Sequence, residues 1–361
     1  MRCWKRNNET RKPSETAMSF RFSPAACTRL FAPEYLRHFP ERGRPFRLPD
    51  LGLTFHGIRD CLCLGSTMQA LLPVHKDCQL PFIFKESCPY LSTEFALPGI
   101  AASCLDAPVT EVDEAAPIFQ AGSNNFWHWT MENLPKLLAL ENMGYNGKYI
   151  LPYHEPVIAR SLEMFGIAPQ RLLPAGVLYR VERLILPPRL SGFTMVEHVP
   201  LVEFLRQSIL DVTGTEQGSR RVYIRRIGQR KLRNEQDILP VLQDFGFDTI
   251  VPEELDHKEQ FRFMTAVDCS VMVHGANSTL ALFQKPRSIW VEMFNNRYVT
   301  YSNLHTVRAM KLRYHALVED LELDTSPDKS TTVYDHLKAG MKADVAIDPM
   351  YLRITLENAL T

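Results

Sequence analysis

The residue types best suited to chemistry occur in the stretch VMVHGANSTLALF, which spans residues 271–283. A β-branched apolar run ends there at His274, Gly275 and Ala276, and a helix-compatible run begins at Asn277. A strand that passes through a glycine turn into a helix directs backbone N–H groups and the positive end of the helix dipole toward an anion. Gly275 also lets a ligand approach the backbone closely. Many α/β domains contain such a turn without binding anything, so its meaning depends on the residues around it.

Arginines cluster at the end of an earlier predicted strand, in the stretch SRRVYIRRIGQRKLRNE at residues 219–235. The guanidinium group binds phosphate oxygens in a bidentate manner, so Arg226 and Arg230 could hold a diphosphate. A solvated basic face or a contact with nucleic acid would give a similar pattern. Nucleic acid is the less favoured partner, because Tyr223 is the one interleaved aromatic residue and the overall charge is balanced.

A third stretch, SNNFWHWTMENLPKLLAL at residues 123–140, predicts a helix with one buried face, formed by Trp127, Met131, Leu134 and Leu138. His128 and Glu132 are four residues apart on a different face and can touch. A carboxylate beside an imidazole orients the ring and raises its basicity, so either residue could act as a general base. Spacing alone favours the simpler interpretation, in which the pair only satisfies the surface of a core helix. Pro135 predicts a bend.

Glu292 ends the strand that follows the glycine turn. A carboxylate at a strand end could bind a ribose diol, and an ordinary solvent-facing glutamate is equally consistent with the sequence. The sequence contains no Asp-x-Asp, no His-x-x-x-His and no Walker lysine loop, so it offers no obvious set of metal ligands. A leaving diphosphate would then have to be neutralised by arginines and a helix terminus.

Composition restricts the class of protein. The chain has 361 residues, 45% hydrophobic and 23% charged, with 41 acidic and 41 basic residues, which is typical of a globular protein with only local charge clusters. Eight scattered cysteines without a Cys-x-x-Cys indicate free thiols in a reducing compartment. Because no apolar run approaches the roughly 20 residues of a membrane helix, we expect a cytoplasmic protein, for which peripheral membrane association remains open.

Alternating strand and helix patterns predict two α/β blocks, each with a parallel sheet covered by helices. The first block has predicted strands at 116–120, 148–152 and 179–186 and helices at 125–141, 156–165 and 201–212. The second has strands at 221–226, 247–251, 269–273 and 288–293 and helices at 235–245, 258–266 and 277–284. Asn234 is the predicted N-cap of the helix at 235–245, and Asp256 with Glu259 has the spacing of a capping box.

The predicted domain boundaries follow from these blocks. Residues 1–18 form a flexible extension, residues 19–213 an N-terminal domain, and residues 214–361 a C-terminal domain whose last helix could pack back on the first. The polar, glycine-bearing segment at 213–219 is the predicted linker.

Three series of residues resemble, in order, the motifs of glycosyltransferase family 61 between residues 115 and 310. The first is WHWTMENLPK at residues 127–136. The second comprises Tyr223, Ile224, Arg226, Arg230, Asn234 and Glu235. The third comprises Gly246, Phe247, Glu254, Leu255, Glu259, Gln260, His274, Gly275, Ala276, Phe283 and Glu292. The family includes plant xylan-decorating transferases, animal O-GlcNAc transferases of the secretory pathway and bacterial proteins linked to capsular polysaccharide.

The resemblance implies a fold, a reaction and a site. The fold is α/β of the GT-B type, with two Rossmann-like domains that face each other across a cleft. The reaction is an inverting, metal-independent transfer of a hexosyl or pentosyl group, without a cofactor, from a nucleoside diphosphate sugar, with a UDP-sugar favoured, to a hydroxyl of a capsular or exopolysaccharide-like glycan. The implied catalytic residues are His128 and Glu132. The residues implied to bind the nucleotide sugar are Arg226, Arg230, Asn234, Gln260, His274, Gly275, Ala276, Asn277 and Glu292.

The sequence departs from the family pattern at three positions. Arg225 replaces a residue that is usually small and polar, Asn277 replaces a glycine, and Leu280 replaces an asparagine. The departures leave open a second interpretation, a catalytically inactive scaffold that binds nucleotide sugars during polysaccharide assembly. A dinucleotide-dependent oxidoreductase is disfavoured, because no Gly-x-Gly-x-x-Gly follows a strand.

Overall fold

The computed structural model describes residues 28–30, 43–51, 53–64, 72–75, 82–84, 109–119, 122–175, 177–188, 190, 199–320 and 339–361. Contacts between residues divide the chain into two units, Met1–Leu190 and Ser191–Thr361. The predicted N-terminal extension at residues 1–18 lies outside the described residues.

The described strands of the first unit are β1 (Thr28–Leu30), β2 (Gly43–Leu48), β3 (Leu53–Leu64), β4 (Leu72–His75), β5 (Phe82–Phe84), β6 (Val109–Pro117), β7 (Lys148–Leu151), β8 (Leu172–Pro174) and β9 (Leu178–Leu186). A seven-stranded mixed sheet has the order β2-β3-β9-β6-β7-β8, with β4 paired to β3, and β1 pairs separately with β5. Strands β9, β6, β7 and β8 run parallel, as the alternation predicts, whereas β2, β3 and β4 join antiparallel.

Strand β6 begins earlier than the strand predicted at 116–120, whose last residue lies outside the described part. Its first half carries acidic residues, which conceal a strand in the sequence. Glu111 and Glu114 are tolerated there because they pair with Arg180 and Arg183 of the neighbouring β9, at 3.3 and 3.0 Å. The acidic side chains therefore stabilise the strand pairing.

The predicted helix at 125–141 has two parts. A π-helical turn covers His128–Asn133, and helix α1 (Leu134–Asn142) follows it. The N–H of Leu134 donates to the carbonyl of Trp129, five residues back. Pro135 has no N–H and its ring clashes with the carbonyl four residues earlier in a regular helix, which explains why the winding changes at this point. The other helix of this unit is α2 (Pro156–Met164), and short 3₁₀ helices occur at Pro49–Leu51 and Pro169–Arg171.

The second unit contains β10 (Arg220–Ile224), β11 (Asp248–Ile250), β12 (Val267–Val273), β13 (Ile289–Phe294) and β14 (Arg313–Val318). Its helices are α3 (Val199–Thr213), α4 (Glu235–Asp244), α5 (His257–Met264), α6 (Leu304–Met310) and α7 (Pro349–Leu360), with 3₁₀ helices at Pro252–Glu254 and Ala276–Phe283. All five strands are parallel, in the order β11-β10-β12-β13-β14. The predicted parallel α/β alternation of this block is confirmed.

The strand order reverses between β10 and β12. In open parallel sheets, ligands bind outside the carboxyl ends of the strands at such a switch point. The segments that leave β10 and β12 there begin with Arg225 and His274. The fold therefore brings the arginine cluster and the glycine turn to the same edge of one sheet.

Two helices pack differently from the sequence prediction. Helix α3, which the predicted linker at 213–219 separates from the C-terminal domain, packs against α5 and α6, so the unit boundary lies before it. Helix α7 places Leu352 and Leu356 in the core of the second unit, against α4 and β14. Amphipathic periodicity predicts that a helix has a buried face, but it does not identify the surface that covers that face.

Local predictions in this unit have mixed outcomes. The capping box is confirmed, because the Asp256 carboxylate accepts from the N–H of Lys258 and Glu259 accepts from that of Asp256. The segment after the glycine turn is a 3₁₀ helix and not an α-helix. Strand β14 and helix α6 lie after the last element that the sequence predicts with bounds.

Candidate functional site

Gly275 lies directly against the guanidinium of Arg226. A Cβ atom at Gly275 would sit 1.6 Å from Arg226 Nη1 and 2.6 Å from Cζ. The backbone of Gly275 is extended, with φ 164°, a conformation open to any residue. Contact with Arg226, and not backbone strain, therefore requires glycine at this position.

The Arg226 guanidinium is held in place but has no carboxylate partner in the part of the chain that the structure describes. Its Nε donates to the carbonyl of Gln229 at 2.6 Å, which leaves the two Nη groups for other acceptors. Among the described residues, Arg226 forms no salt bridge. Burial, and then the charge of nearby Arg230, lower the pKa of Arg226 to about 10, and Glu253 counteracts this in part. A desolvated, unpaired cation of this kind favours a bound anion.

Arg230 is a second cation of the same kind. Its backbone is left-handed, with φ 59°, a strained conformation for a residue with a side chain. Its Nε is buried without a hydrogen-bond partner in the described structure, and its guanidinium lies 5.7 Å from the ring centroid of Tyr298. Burial lowers the pKa of Arg230, against the opposing charges of Tyr298 and Glu292. Strain and desolvation at one position are typical of a functional site.

His274 is oriented by a buried carboxylate. Its Nδ1 lies 2.8 Å from Oε1 of Glu292, which is 0% exposed. The imidazole stacks on Phe294 at 4.8 Å between ring centroids and lies 5.6 Å from the ring of Tyr298. Nε2 is the ring nitrogen that Glu292 leaves open.

The carboxylate of Glu292 is occupied by the protein itself. Oε1 also accepts from Ser278 Oγ at 2.7 Å and Asn303 Nδ2 at 2.9 Å, and Oε2 accepts from the Tyr314 hydroxyl at 2.8 Å. Neither expectation from the sequence, a ribose ligand or a solvent-facing side chain, agrees with this burial. The reason is β14 and the N-cap of α6, which cover the end of β13.

One backbone donor of the expected phosphate-binding turn is already used within the protein. The N–H of Gly275 donates to Ser278 Oγ at 3.2 Å and is not free for a ligand. The first bond of the 3₁₀ helix runs from the N–H of Ser278 to the carbonyl of Gly275. The N–H groups of Ala276 and Asn277 precede that bond and are the donors that the helix terminus presents.

Two further predicted binding residues support the loop after β11. The Asn277 side chain donates to Glu253 at 3.1 Å. The buried amide of Gln260 donates to the carbonyls of Pro252 and Leu255, at 2.8 and 3.3 Å. Gln260 therefore fixes the 3₁₀ turn that carries Glu253, and Glu253 in turn lies near Arg226.

Asn234 lies at the predicted N-cap position but makes no capping bond. Its amide donates to the carbonyl of Ile347 at 2.8 Å, and its oxygen accepts from the N–H of Ile347 at 3.3 Å. Preceding residues are joined to the same segment, because Leu232 and Val345 form a parallel bridge and Lys231 N–H donates to Asp344. Asn234 therefore anchors the loop after β10 and does not present its side chain to a ligand.

The motif departures at Arg225 and Leu280 lie away from these groups. The Arg225 guanidinium pairs with Glu235 at 2.6 Å, and Tyr223 donates to the same carboxylate at 2.9 Å. Leu280 is 1% exposed, in the core. Neither substitution alters the groups around Gly275, so neither favours an inactive scaffold.

In the first unit, His128 and Glu132 make the contact that their spacing predicts. His128 Nδ1 lies 2.8 Å from Glu132 Oε2, with side-chain exposures of 31% and 3%. Trp127, Met131, Leu134 and Leu138 are buried as predicted, but the burial extends around the whole helix from Trp129 to Leu140. A half-exposed imidazole held by a buried carboxylate can accept a proton through Nε2.

Residues that sequence reasoning missed surround His128. Gly122, with φ 84°, packs on the ring, where a Cβ would lie 2.8 Å from His128 Cδ2. Buried Asn133 donates to the His128 carbonyl at 2.9 Å and to Ser123 Oγ at 3.2 Å. Lys136 is 3% exposed, with Nζ 3.4 Å from Asn133 Oδ1. Polar residues occur on more than one face of this helix. That pattern is the sequence signal that its burial is not limited to the predicted apolar face.

Two cavities in the described structure lie apart from most of these residues. One of about 1380 Å³ in the first unit is lined by Arg59, Glu114, Lys148 and Arg183 among others. One of about 970 Å³ in the second unit is lined by Asn234, Asn296, Asp320 and Asp348 among others. Of the predicted site residues, only Asn234 lines either of them.

The described residues contain neither a metal-binding cluster nor a membrane-spanning helix. No group of three or more His, Cys, Asp or Glu side chains there could hold a metal ion. Within the same residues, every helix is too short or too polar to cross a bilayer.

Comparison with known proteins supports the resemblance in the sequence. No curated protein matches the chain. A family model, described as Glycosyltransferase 61, matches residues 126–291, which include the His128–Glu132 pair, both site arginines and the glycine turn. Residues 126–291 therefore match the model of the same family, glycosyltransferase family 61, whose motifs the sequence resembles.

Proposed function

We propose that the protein is an inverting, metal-independent glycosyltransferase that moves a hexosyl or pentosyl group from a nucleoside diphosphate sugar to a hydroxyl of a glycan. The observation that carries the proposal is the pair of desolvated arginines without carboxylate partners, Arg226 and Arg230, beside Gly275. Two such cations favour a ligand with two adjacent phosphate groups. The match to the Glycosyltransferase 61 family model supports the further proposal that the bound ligand donates a sugar.

In the proposed complex, the diphosphate lies against the Nη groups of Arg226, the Arg230 guanidinium and the N–H groups of Ala276 and Asn277. The Arg226 side chain and the turn are fixed before the ligand arrives. Arg226 Nε donates to the Gln229 carbonyl, and the N–H of Gly275 donates to Ser278 Oγ. Preorganised donors stabilise the charge that develops as the diphosphate leaves, which is usually the largest contribution to such catalysis. UDP-sugars are the first donors to test.

Transfer requires a base for the acceptor hydroxyl. The hydroxyl oxygen forms a bond to the anomeric carbon while the bond from that carbon to the diphosphate breaks, and the electron pair leaves with the diphosphate. Nε2 of His128 takes the hydroxyl proton, and Glu132 stabilises the resulting imidazolium through Nδ1. Attack from the opposite face inverts the anomeric configuration.

The proposal is tested with a screen of nucleotide sugars for hydrolysis and transfer, followed by two variants. Arg226→Ala should lower kcat/KM by about 10²- to 10³-fold, the usual cost of one preorganised donor. His128→Ala should lower transfer by a factor on the order of 10² to 10⁴ while donor binding persists.

Matched controls are Arg225→Ala, which removes the adjacent arginine paired with Glu235, and His154→Ala, an exposed histidine outside the site. Full activity in both Arg226→Ala and His128→Ala would contradict the proposal. Donor binding without turnover by the wild-type protein would support the scaffold instead.

A further inference from the structure

The starting observation is a charged group that is fully removed from water at the edge of the site. Glu292 is 0% exposed, and its two oxygens are bonded to His274, Ser278, Asn303 and Tyr314. Burying a carboxylate costs several kcal/mol unless donors and a cation compensate. Three of these partners are neutral donors, and His274 is the one that can carry a positive charge.

The second observation is that His274 is fixed in one orientation. Glu292 only accepts hydrogen bonds when ionised, so Nδ1 of His274 carries a proton. Stacking on Phe294 and the neighbouring ring of Tyr298 confine the imidazole plane. A flip of the ring would break the bond to Glu292 and leave the buried carboxylate without this donor. Nε2 is therefore the nitrogen available to a ligand.

The third observation is that His274 shares a neighbour with Arg230 and is adjacent in the chain to the residue that contacts Arg226. Tyr298 lies beside both His274 and the Arg230 guanidinium, at 5.6 and 5.7 Å. On the other side, the next residue in the chain, Gly275, contacts Arg226. Ser278 links the N–H of Gly275 to Glu292, so one carboxylate holds both residues of the turn.

We propose that Glu292 is a positioning residue that orients His274 so that it binds the diphosphate as an imidazolium, whose Nε2–H donates to the diphosphate beside Arg226 and Arg230. The inference rests on the proposed function and deepens it, because it gives the leaving group a third charged donor. His274 forms no covalent bond and keeps its proton; its hydrogen bond strengthens as the electron pair of the breaking C–O bond moves to the diphosphate. Among the described contacts, Glu292 and the phenol of Tyr298 face the imidazole, and the phenol of Tyr314 shares the Glu292 carboxylate.

The test uses the full-length protein and inorganic pyrophosphate at pH 7. Long-range ¹H–¹⁵N spectra of protein labelled at histidine, with the His274 signals assigned by a His274→Gln variant, report which ring nitrogens carry protons. We expect Nδ1 to be protonated in the free protein and Nε2 to shift into the protonated range when pyrophosphate binds. Calorimetry should show that Glu292→Gln binds pyrophosphate about tenfold more weakly, or about 1.4 kcal/mol.

The matched control is Glu357→Gln on α7, which removes an exposed carboxylate and should leave the affinity unchanged. Pyrophosphate binding with unchanged His274 nitrogen signals, or with full affinity in a folded Glu292→Gln, would overturn the inference and leave the arginine site standing. If Glu292→Gln does not fold, the wild-type spectra still decide. Failure of the wild-type protein to bind pyrophosphate would overturn the proposed function as well.

Discussion

At the level of single residues, the contact between Gly275 and Arg226 makes a specific prediction. Because the backbone of Gly275 is extended, alanine is excluded there only by the guanidinium, 1.6 Å from the added Cβ. Gly275→Ala should therefore displace Arg226 and weaken pyrophosphate binding about tenfold, as measured by calorimetry.

The double variant provides the control for this prediction. With Arg226→Ala already present, the guanidinium that the added methyl group would meet is gone, and Gly275→Ala should change neither affinity nor stability further. Residues in contact give such non-additive effects in a double-mutant cycle. Additive losses would show that glycine is needed there for a different reason.

Arg226 also links binding to stability. Its pKa of about 10 in the folded protein lies below the ordinary value for arginine, so the charged form destabilises the fold by the full penalty below about pH 10, and this penalty diminishes as the pH rises above 10 toward the ordinary pKa. Arg226→Met should thus raise the stability of the ligand-free protein by roughly 1 kcal/mol at pH 7. The same variant should lose the thermal stabilisation that pyrophosphate gives the wild type.

Thermal unfolding with and without pyrophosphate, at pH 7 and pH 10.5, measures both effects. Arg225→Met is the control, because its guanidinium is exposed and paired with Glu235. A lower melting temperature for ligand-free Arg226→Met would contradict the assignment of Arg226 as a desolvated, unpaired cation.

Sequence reasoning succeeded for residues whose partners are close in the chain. The His128–Glu132 contact follows from a spacing of four residues, and the structure confirms it at 2.8 Å. It failed for Glu292, whose burial depends on Tyr314 of β14 and Asn303 before α6. The sequence predicts bounds for neither β14 nor α6, so it does not indicate that these elements cover the end of β13.

At the level of elements, the loop after β10 depends on a distant segment. Asn234 makes two hydrogen bonds to the backbone of Ile347. Asn234→Ala should cost about 1–2 kcal/mol in the free energy of unfolding, since it leaves buried backbone groups unpaired. Pyrophosphate affinity should stay within about twofold at temperatures where the variant is folded, because the side chain contacts protein and not the site.

Urea unfolding and calorimetry separate these two quantities. Asn296→Ala, which removes a single bond to the carbonyl of Asp320, is the control and should cost less. A large loss of affinity with unchanged stability would restore the nucleotide-binding role that the family motif implies for Asn234.

Element type was predictable wherever hydrophobic periodicity was strong, as in β12, β13 and α5. It was not predictable at the two functional turns. The 3₁₀ winding after Gly275 and the π-helical turn at His128–Asn133 depend on the Ser278–Glu292 bond and on Pro135 in its tertiary surroundings. Unusual helix geometry at functional positions is common, because the site and not the local preference determines the backbone.

At the level of the whole molecule, the net charge is zero, with 41 residues of each sign. Much of the arginine cluster is neutralised locally, since Arg220, Arg225 and Arg233 each pair with a glutamate. The buried cations of the cluster without a carboxylate partner among the described residues are Arg226 and Arg230, and so small a charged patch suits a diphosphate better than a nucleic acid. The predicted arrangement of two facing domains remains a prediction.

The bridge between Leu232 and Val345 also determines when the site can form. Residues 231–233 are joined to residues 344–345 by backbone bonds, across more than a hundred intervening residues. A ribosome adds about 5–20 residues per second, so the arginine loop waits roughly ten seconds for the segment that fixes it. Throughout that interval the nascent chain carries its arginines without the support that shapes the loop.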